Sequence, residues 1–136
     1  SYTTLNALVP PLVKRGLIIC DPSYEDASDY KSVTAALENA RKKWNTAIIV
    51  LWYPLLERRK NETAQMLSAL EIFGKTGTNP CESFRCELEV KDPAAMREEN
   101  GAHLYGSGIF VMNPPWHLEE DMREVSDYLK KKLIDF

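Results

Sequence analysis

Unbroken apolar runs mark two segments in the first half of the chain, 16–20 (GLIIC) and 47–52 (AIIVLW). Such runs are typical of strands buried on both faces, as in parallel sheets that helices cover. Between them, apolar residues recur at the spacing of an amphipathic helix: Tyr30, Val33, Leu37, Ala40 and Trp44. Polar residues suited to cap this helix stand just ahead of it: Asp26, Ser28 and Asp29. The pattern predicts a right-handed, parallel βαβ unit.

The second half of the chain predicts a different order of elements. A helix is expected over 56–73, and strict alternation over 83–90 predicts a strand near the sheet margin with one face in solvent. Residues 91–107 have no helical period and predict a long hairpin loop, and the apolar run 108–112 predicts a central strand antiparallel to its predecessor. A final helix carries one apolar stripe: Leu118, Met122, Val125, Leu129 and Leu133. The expected order is β-α-β-α-β-β-α in one α/β domain.

Composition narrows the class of protein. The 136 residues carry a formal net charge of −3, which fits one globular domain and argues against a free-standing nucleic-acid binder with a basic face. No apolar run approaches the length of a membrane span. Three cysteines without neighbouring ligands predict free thiols and no metal site, with the first of them buried, as suits a reducing cytoplasm: Cys20, Cys81 and Cys86. The first residues lack an initiator Met and a signal peptide, which suggests that the chain begins inside a larger protein.

Two tetrapeptides are candidates for chemistry. Asp21-Pro22-Ser23-Tyr24 follows the first predicted strand, and Asn113-Pro114-Pro115-Trp116 follows the last one. Amino-group methyltransferases use tetrapeptides of this kind to hold the nitrogen that they methylate. In open α/β sheets, ligands bind beyond the carboxyl ends of the parallel strands. The position of each tetrapeptide in the sheet therefore decides between them.

The predicted strand directions favour the first tetrapeptide. Residues 21–24 should lie at the binding edge of the sheet, with Trp52 and Tyr53 one strand over and residues 106–108 nearby. An antiparallel last strand would carry residues 113–116 to the opposite edge. There, two prolines would end the strand and Trp116 would pack against the core.

Other kinds of catalytic site have little support in the sequence. His103 and His117 are the two histidines, and neither tetrapeptide has a Ser-His-Asp set beside it. Residues 74–77 (GKTG) are too short for a phosphate-binding loop, and no G-x-G-x-x-G occurs. Hypotheses of a hydrolase or a nucleotide-cofactor enzyme are therefore weak.

Three blocks resemble a known family: PPLVKRGLIICDPSYE, AIIVLWYP and GSGIFVMNPPWHLEE. In this order they are similar to the carboxyl half of the RlmJ family of bacterial 23S ribosomal RNA adenine-N6 methyltransferases, over nearly the whole chain from Val9 onward. The resemblance implies a Rossmann-like class I methyltransferase fold, S-adenosylmethionine as cofactor and 23S ribosomal RNA as partner. We also expect a cytoplasmic, monomeric protein without a metal.

The resemblance implies a role for each residue of the first tetrapeptide, which matches the family's Asp-Pro-Pro-Tyr. An adenine amine is a poor nucleophile because its lone pair is delocalised into the ring. Asp21 and the Pro22 carbonyl are expected to accept hydrogen bonds from this amine and to stabilise the charge that develops on it. Tyr24 is expected to stack on the base. Asp21 is also expected to border the cofactor, and three residues are expected to border the substrate: Ser23, Trp52 and Tyr53.

The sequence departs from the family pattern in two respects. Ser23 replaces the second proline, which removes one constraint on φ and adds a hydroxyl beside the base-binding carbonyl. The family's cofactor-binding amino-terminal half is absent, so residues 1–136 are expected to be the carboxyl-terminal part of one methyltransferase domain, inactive alone. Two alternatives stay open: a DNA-binding or DNA-utilisation protein of the same fold, and a DNA adenine-N6 methyltransferase.

Overall fold

A computed structural model of the chain describes residues 2–98, 100 and 102–134. Five α-helices, one 3-10 turn and four strands follow one another in this part of the chain. They are α1 (Tyr2–Leu8), β1 (Leu17–Cys20), α2 (Ala27–Lys43), β2 (Ile48–Leu56), a 3-10 turn (Glu57–Arg59), α3 (Lys60–Lys75), β3 (Ser83–Glu89), α4 (Pro93–Glu98), β4 (Leu104–Met112) and α5 (Leu118–Leu133).

The four strands form one mixed sheet in the order β1-β2-β4-β3. β1 and β2 are parallel and pair from Leu17 with Ile48 to Cys20 with Leu51. β4 lies between β2 and β3 and is antiparallel to both. The predicted parallel pair, the antiparallel last strand and its central position are therefore confirmed, and β3 is a margin strand as expected.

The best-filled part of the core lies between the sheet and the helices α2 and α3, which pack against each other. All five residues of the predicted α2 stripe are buried: Tyr30, Val33, Leu37, Ala40 and Trp44. The cap of α2 is also as predicted, because the Asp26 amide donates to Asp29 Oδ2 at 3.0 Å. From the sheet, Ile49, Leu51 and Tyr53 of β2 are fully buried. Since side chains alternate along a strand, these residues share one face.

The other face of the sheet is covered unevenly. A cleft between α5 and the sheet is lined by Cys86, Leu88 and Ile109, so α5 lies over β3 and β4. Over β1 no described element takes this place, and Leu17 is 52% exposed and Ile19 73% exposed. The prediction that the first strand is buried on both faces is therefore wrong for the described residues, because no described helix covers the face that carries Leu17 and Ile19.

Several element boundaries differ from the sequence prediction. β2 continues to Leu56, past the expected end at residue 52, and contains Pro54. This proline is tolerated because it lies beyond the last residue that pairs with β1, where the strand has a neighbour on one side only. Residues 91–107 are not a continuous loop, since α4 forms within them and β4 begins at Leu104. The helix α1 was not predicted.

The final helix forms where the sequence predicts it, but its apolar stripe is half open. Met122 and Leu129 are half-buried, whereas Val125 and Leu133 remain mostly exposed. α5 therefore leaves part of its apolar stripe exposed. No described helix is both long and apolar enough to cross a membrane.

Candidate active site

The tetrapeptide at residues 21–24 lies directly beyond the carboxyl end of β1. Asp21 and Ser23 are exposed, and Pro22 is half-buried. They border a cleft of about 430 Å³, whose lining is Tyr2, Leu5, Ile18, Ile19, Cys20, Asp21, Pro22, Ser23 and Asp29. The cleft thus brings Asp21 and Pro22 together with an apolar wall at the edge where open α/β sheets bind ligands.

Tyr24 does not share the exposure of its neighbours. Its ring is 5% exposed and packs near Tyr30, with 4.8 Å between ring centroids. Its hydroxyl donates a hydrogen bond to the Trp52 carbonyl oxygen at 2.8 Å, and burial raises the pKa of this phenol well above its ordinary value. In this conformation the ring offers little surface to a base, in contrast to the expected stacking role. This burial could not be predicted from the sequence, because an aromatic residue in a loop can be either buried or exposed.

The two candidate substrate residues on β2 differ in accessibility. Trp52 is half-buried at the level of the tetrapeptide, since Leu51 pairs with Cys20. Tyr53 is fully buried, and its hydroxyl donates to Glu87 Oε1 at 2.8 Å. In this structure Tyr53 therefore has no exposed surface to offer a substrate, and its contact with substrate stays a prediction. The reason for its burial is the alternation of side chains along β2, which turns Tyr53 toward the core under α3.

Two acidic side chains, Asp21 and Asp29, line the cleft together with the Cys20 thiol. Burial, and to a smaller extent the neighbouring Asp21 carboxylate, raise the pKa of Cys20 above its ordinary value. This thiol is free and half-buried, not fully buried as expected. Burial also raises the pKa of Tyr2, with smaller contributions from Cys20 and Asp29. The raised pKa values favour the protonated forms of the Cys20 thiol and the Tyr2 phenol in this cleft.

The second tetrapeptide lies at the opposite edge of the sheet. Asn113 has a left-handed φ of 59°, and its side-chain amide donates to the carbonyls of Thr46 and Ala47 at 3.1 and 3.3 Å. These carbonyls precede the first residue of β2, so the predicted separation of the two tetrapeptides is confirmed. Trp116, however, is 91% exposed and lies against His117, with ring centroids 4.7 Å apart. The expectation that it packs against the core is wrong, because the turn held by Asn113 directs it outward.

Sequence reasoning missed the contribution of α1 to the cleft. Tyr2 and Leu5, three positions apart on this helix, line one wall beside the tetrapeptide. Their spacing is compatible with a helix face, but seven residues are too few for a periodic signal. Residues 106–108 lie where they were expected, since Gly106, Ser107 and Gly108 pair with residues 53–55 of β2.

A metal site has no support among the described residues. Within residues 2–98, 100 and 102–134, no three His, Cys, Asp or Glu side chains are grouped closely enough to hold an ion. His117 lies at the edge opposite the cleft, with its Nδ1 atom 3.3 Å from Asp121 Oδ1.

Comparisons with known proteins identify the family of this chain. A family model described as "Ribosomal RNA large subunit methyltransferase D, RlmJ" matches residues 1–136. Two curated relatives, both named ribosomal RNA large subunit methyltransferase J, come from Escherichia coli (strain K12) and Haemophilus influenzae. Each is 33% identical to this chain over 133 residues, which are 98% of the chain and 43% of the relative.

A solved structure has the same fold. The crystal structure of protein LPL1258 from Legionella pneumophila superposes with a TM-score of 0.80 at 31% identity, over 97% of this chain and 44% of that chain. The predicted Rossmann-like methyltransferase fold class is confirmed by the family match, this superposition and the mixed four-stranded sheet. The chain spans less than half the length of the relatives that it matches. With a match from the first residue to the last, this chain belongs to the RlmJ family of ribosomal RNA large subunit methyltransferases.

Proposed function

We propose that this chain carries the target-base side of an active site that transfers a methyl group from S-adenosylmethionine to the N6 amine of an adenine in 23S ribosomal RNA. The observation that carries the proposal is the exposed Asp21-Pro22 pair beside a cleft of about 430 Å³, beyond the carboxyl end of β1. The family of the chain and the names of its relatives support ribosomal RNA as the substrate. The reaction takes place in the cytoplasm, where ribosomes are made.

Two hydrogen-bond acceptors activate the amine in this mechanism. One Asp21 carboxylate oxygen and the Pro22 carbonyl oxygen each accept a bond from the amine. These bonds draw the lone pair out of conjugation and stabilise the positive charge that develops on nitrogen. Bonds to charged groups of this kind contribute about 1.5–3 kcal/mol each. The rigid ring of Pro22 restricts the backbone, and this limits the directions in which its carbonyl can point. The restriction helps to keep the Asp21 and Pro22 oxygens in a fixed relative position.

The cleft suits part of the cofactor. S-adenosylmethionine, when bound, supplies a methyl group activated by a sulfonium. Its cationic amino group complements the Asp21 carboxylate, and the apolar wall at Ile18 and Ile19 suits its uncharged parts. The wall is open on the Ile19 side, so the remaining contacts have to come from polypeptide outside the described residues.

We propose separate roles for the remaining candidates on this edge. Ser23 is exposed next to Pro22, so its hydroxyl is free to approach the base or the adjoining sugar. Trp52 is half-buried one strand over and supports the loop through its carbonyl. Tyr53 acts from the core, through its bond to Glu87.

The domain is completed by an amino-terminal segment that carries most of the cofactor site. Three features support this: the match to less than half of each relative, the end position of β1 in the sheet, and the exposed apolar residues Leu17 and Ile19. An end strand with apolar side chains on an uncovered face is a place where another strand and its helices can add. The completed protein acts as a monomer.

Replacing Asp21 in the full-length protein tests the proposed reaction. Both Asp21→Ala and Asp21→Asn are expected to reduce methyl transfer to unmodified 23S ribosomal RNA by about 10²-fold or more, since one charged acceptor is lost. Transfer is measured as radiolabel from the cofactor in RNA digested to nucleosides. Cofactor binding, measured by calorimetry, should weaken only modestly, because the amino-terminal segment carries most of the cofactor site.

Glu25→Gln is the matched control, because it removes an exposed carboxylate four residues away that does not line the cleft. It should methylate at the rate of the unaltered protein. Near-normal transfer by Asp21→Ala would refute the assignment of the site. Transfer to DNA in place of ribosomal RNA would show that the chemistry is right and the substrate wrong.

A further inference from the structure

An exposed arginine lies at the same edge of the sheet as the 21–24 loop. β1 and β2 are parallel, so their carboxyl ends meet at this edge, and the 3-10 turn Glu57–Arg59 follows β2 directly. The middle residue of the turn, Arg58, is exposed. We propose, on the basis of the function proposed above, that Arg58 binds a backbone phosphate of the ribosomal RNA beside the target adenine. It contributes to substrate binding and does not touch the reacting atoms.

The charges on either side of Arg58 are already paired. Arg59 Nη1 lies 3.0 Å from Glu62 Oε1, and Lys60 Nζ lies 3.9 Å from Glu57 Oε1. Both pairs join residues three positions apart, so these side chains lie along the turn and the start of α3. In the part of the chain that the structure describes, no carboxylate pairs with Arg58. Its guanidinium is therefore available to a ligand.

The backbone that carries Arg58 is held from two sides. The turn packs against both α3 and α4, and Leu55 near the end of β2 is buried. A side chain on a fixed backbone has less conformational freedom to lose on binding than one on a mobile loop. The planar guanidinium can also donate two parallel hydrogen bonds to a phosphate. This turn therefore suits the binding of a phosphate group.

β2 carries the turn outward, past the level of the tetrapeptide. Leu51 pairs with Cys20, and the strand continues to Leu56. At roughly 3.3 Å per residue, the strand extends about 16 Å from Leu51 to Leu56. A base that enters a catalytic pocket rotates out of the stack about its backbone, so its phosphates stay outside the pocket. A cation beyond the edge of the sheet lies where that backbone has to run.

The charge of Arg58 also acts on a residue next to the tetrapeptide. Burial raises the pKa of Tyr30, while the nearby Thr63 hydroxyl and the charges of Arg59 and Arg58 act against this rise. The Tyr30 ring centroid lies 4.8 Å from that of Tyr24, the last residue of the tetrapeptide. Arg58 is therefore in the neighbourhood of the proposed base site.

The tetrapeptide side of this edge is rich in acidic residues. Asp21 and Asp29 line the cleft, and Glu25 and Asp26 are exposed beside it. Carboxylates repel the phosphates that flank a bound adenine. We therefore expect the RNA backbone to run on the side of the edge where Arg58 offers the opposite charge.

Replacing Arg58 in the full-length protein tests the proposal. Arg58→Ala is expected to raise the KM for unmodified 23S ribosomal RNA about tenfold, since one hydrogen-bonded charge is lost. The kcat should stay within about twofold of normal, because such a contact binds substrate and transition state alike. Arg58→Lys should regain most of the affinity, since an ammonium also binds phosphate as a point charge.

Salt dependence gives a second readout of a phosphate contact. The slope of log KM against log salt concentration should become shallower by about 0.7 in Arg58→Ala, because one phosphate fewer is neutralised. Arg58→Lys should keep the normal slope. Unchanged KM and slope in Arg58→Ala would overturn the proposal, and so would a loss of kcat at unchanged KM.

Arg15→Ala is the matched control. It removes the same charge from an exposed residue just ahead of β1, at the opposite edge of the sheet. Both KM and its salt dependence should be normal in this variant. Equal effects of Arg15→Ala and Arg58→Ala would show a general effect of charge on RNA binding, and the assignment of Arg58 would be wrong.

Binding measured without methyl transfer separates this proposal from the proposed reaction. Filter binding of radiolabelled 23S ribosomal RNA gives the affinity of each variant, and Asp21→Ala reports on the reaction. If Asp21→Ala retains transfer while Arg58→Ala weakens binding, the phosphate contact is right and the acceptors have been misassigned. If Asp21→Ala abolishes transfer and Arg58→Ala binds and methylates normally, the reaction is right and the phosphate contact is wrong.

Discussion

At the scale of single residues, the cleft brings a thiol next to a carboxylate. Cys20 is the last residue of β1 and Asp21 the first of the loop, and both line the cleft. Burial is the larger cause of the raised pKa of Cys20, and the charge of Asp21 is the smaller one. Because the thiolate is the reactive form, Cys20 should be alkylated slowly at neutral pH.

The reactivity of Cys20 reports the charge of Asp21. Asp21→Asn should lower the pH midpoint of alkylation and speed the reaction at pH 8, while burial keeps the midpoint above that of an ordinary thiol. Iodoacetamide modification followed by mass spectrometry measures this in a background of Cys81→Ser and Cys86→Ser. Glu25→Gln should leave the midpoint unchanged. Equal rates in the Asp21→Asn and unaltered chains would mean that the carboxylate points away from the thiol.

The sequence predicted correctly at which edge of the sheet each tetrapeptide lies. It did not predict which aromatic side chains are buried. The strand directions alone assigned residues 21–24 and 113–116 to opposite edges, because a strand has only two ends. They did not reveal that Tyr24 and Tyr53 are buried while Trp116 is exposed. The side on which an aromatic ring lies depends on the loop backbone and the strand register. For two of these regions that backbone includes left-handed residues other than glycine: Tyr24, Asn113 and His117.

At the scale of elements, the ring of Tyr53 on β2 packs over Gly108 on the neighbouring strand β4. Gly108 pairs with Tyr53, and a Cβ at Gly108 would overlap the Tyr53 ring and its hydroxyl. The ring is fully buried and its hydroxyl bonds to Glu87 on β3, so it cannot move aside without losing that bond. One residue without a side chain therefore lets Tyr53 connect three strands.

Gly108→Ala should consequently destabilise the fold by about 3 kcal/mol, the upper part of the usual range for overpacked cores. The free energy of unfolding is measured by urea denaturation followed by far-UV circular dichroism. Gly74→Ala is the matched control, since its Cβ would meet Met112 and Cys81 atoms at ordinary contact distances of 3.5 and 3.6 Å. It lies in α3, so it should be neutral or stabilise by up to about 1 kcal/mol. Equal stability of the two variants would contradict the packing described for Tyr53.

Elements with a strong periodic or apolar pattern were predictable, and short ones were not. The stripe of α2 and the apolar run of β4 gave the correct element types because each is long enough for its period to be read. α1 and α4 have seven and six residues, too few for a periodic signal, and depend on contacts with their neighbours. The exposure of one face of β1 could not be predicted either. An apolar run indicates that a strand is to be covered, but it does not show whether the covering helices belong to the same segment of chain.

At the scale of the whole molecule, one group of exposed apolar residues lies in β1 and in the segment that leads to it. Leu8, Leu12 and Val13 are exposed in the segment that leads to β1, as are Leu17 and Ile19 within it. Contiguous exposed apolar surface next to an unpaired strand usually marks an interface. Since the relatives have more than half of their length beyond the region matched here, a further polypeptide of the same domain is the occupant that we expect.

Reconstitution from two pieces tests this arrangement. We expect residues 1–136 alone to bind no S-adenosylmethionine detectable by calorimetry, because the cleft is open on the Ile19 side. Coexpressed with the unmatched part of the Escherichia coli relative, the chain should form a one-to-one complex that binds the cofactor. Ile19→Lys should prevent the complex by placing a charge in the apolar face, whereas Ile72→Lys should not.

Comparing the two lysine variants distinguishes a specific interface at β1 from a general effect of added charge. Ile19 and Ile72 are 73% and 61% exposed, so neither substitution disturbs a buried position, but Ile72 lies on α3, away from β1. Loss of the complex in both would indicate a general effect of charge, and assembly in both would place the interface elsewhere. Micromolar cofactor binding by residues 1–136 alone would mean that the groups along β1 suffice for the site. If the uncovered face of β1 receives the cofactor-binding half, two results are expected. The complex should bind S-adenosylmethionine although residues 1–136 alone do not, and Ile19→Lys should abolish this binding whereas Ile72→Lys should not.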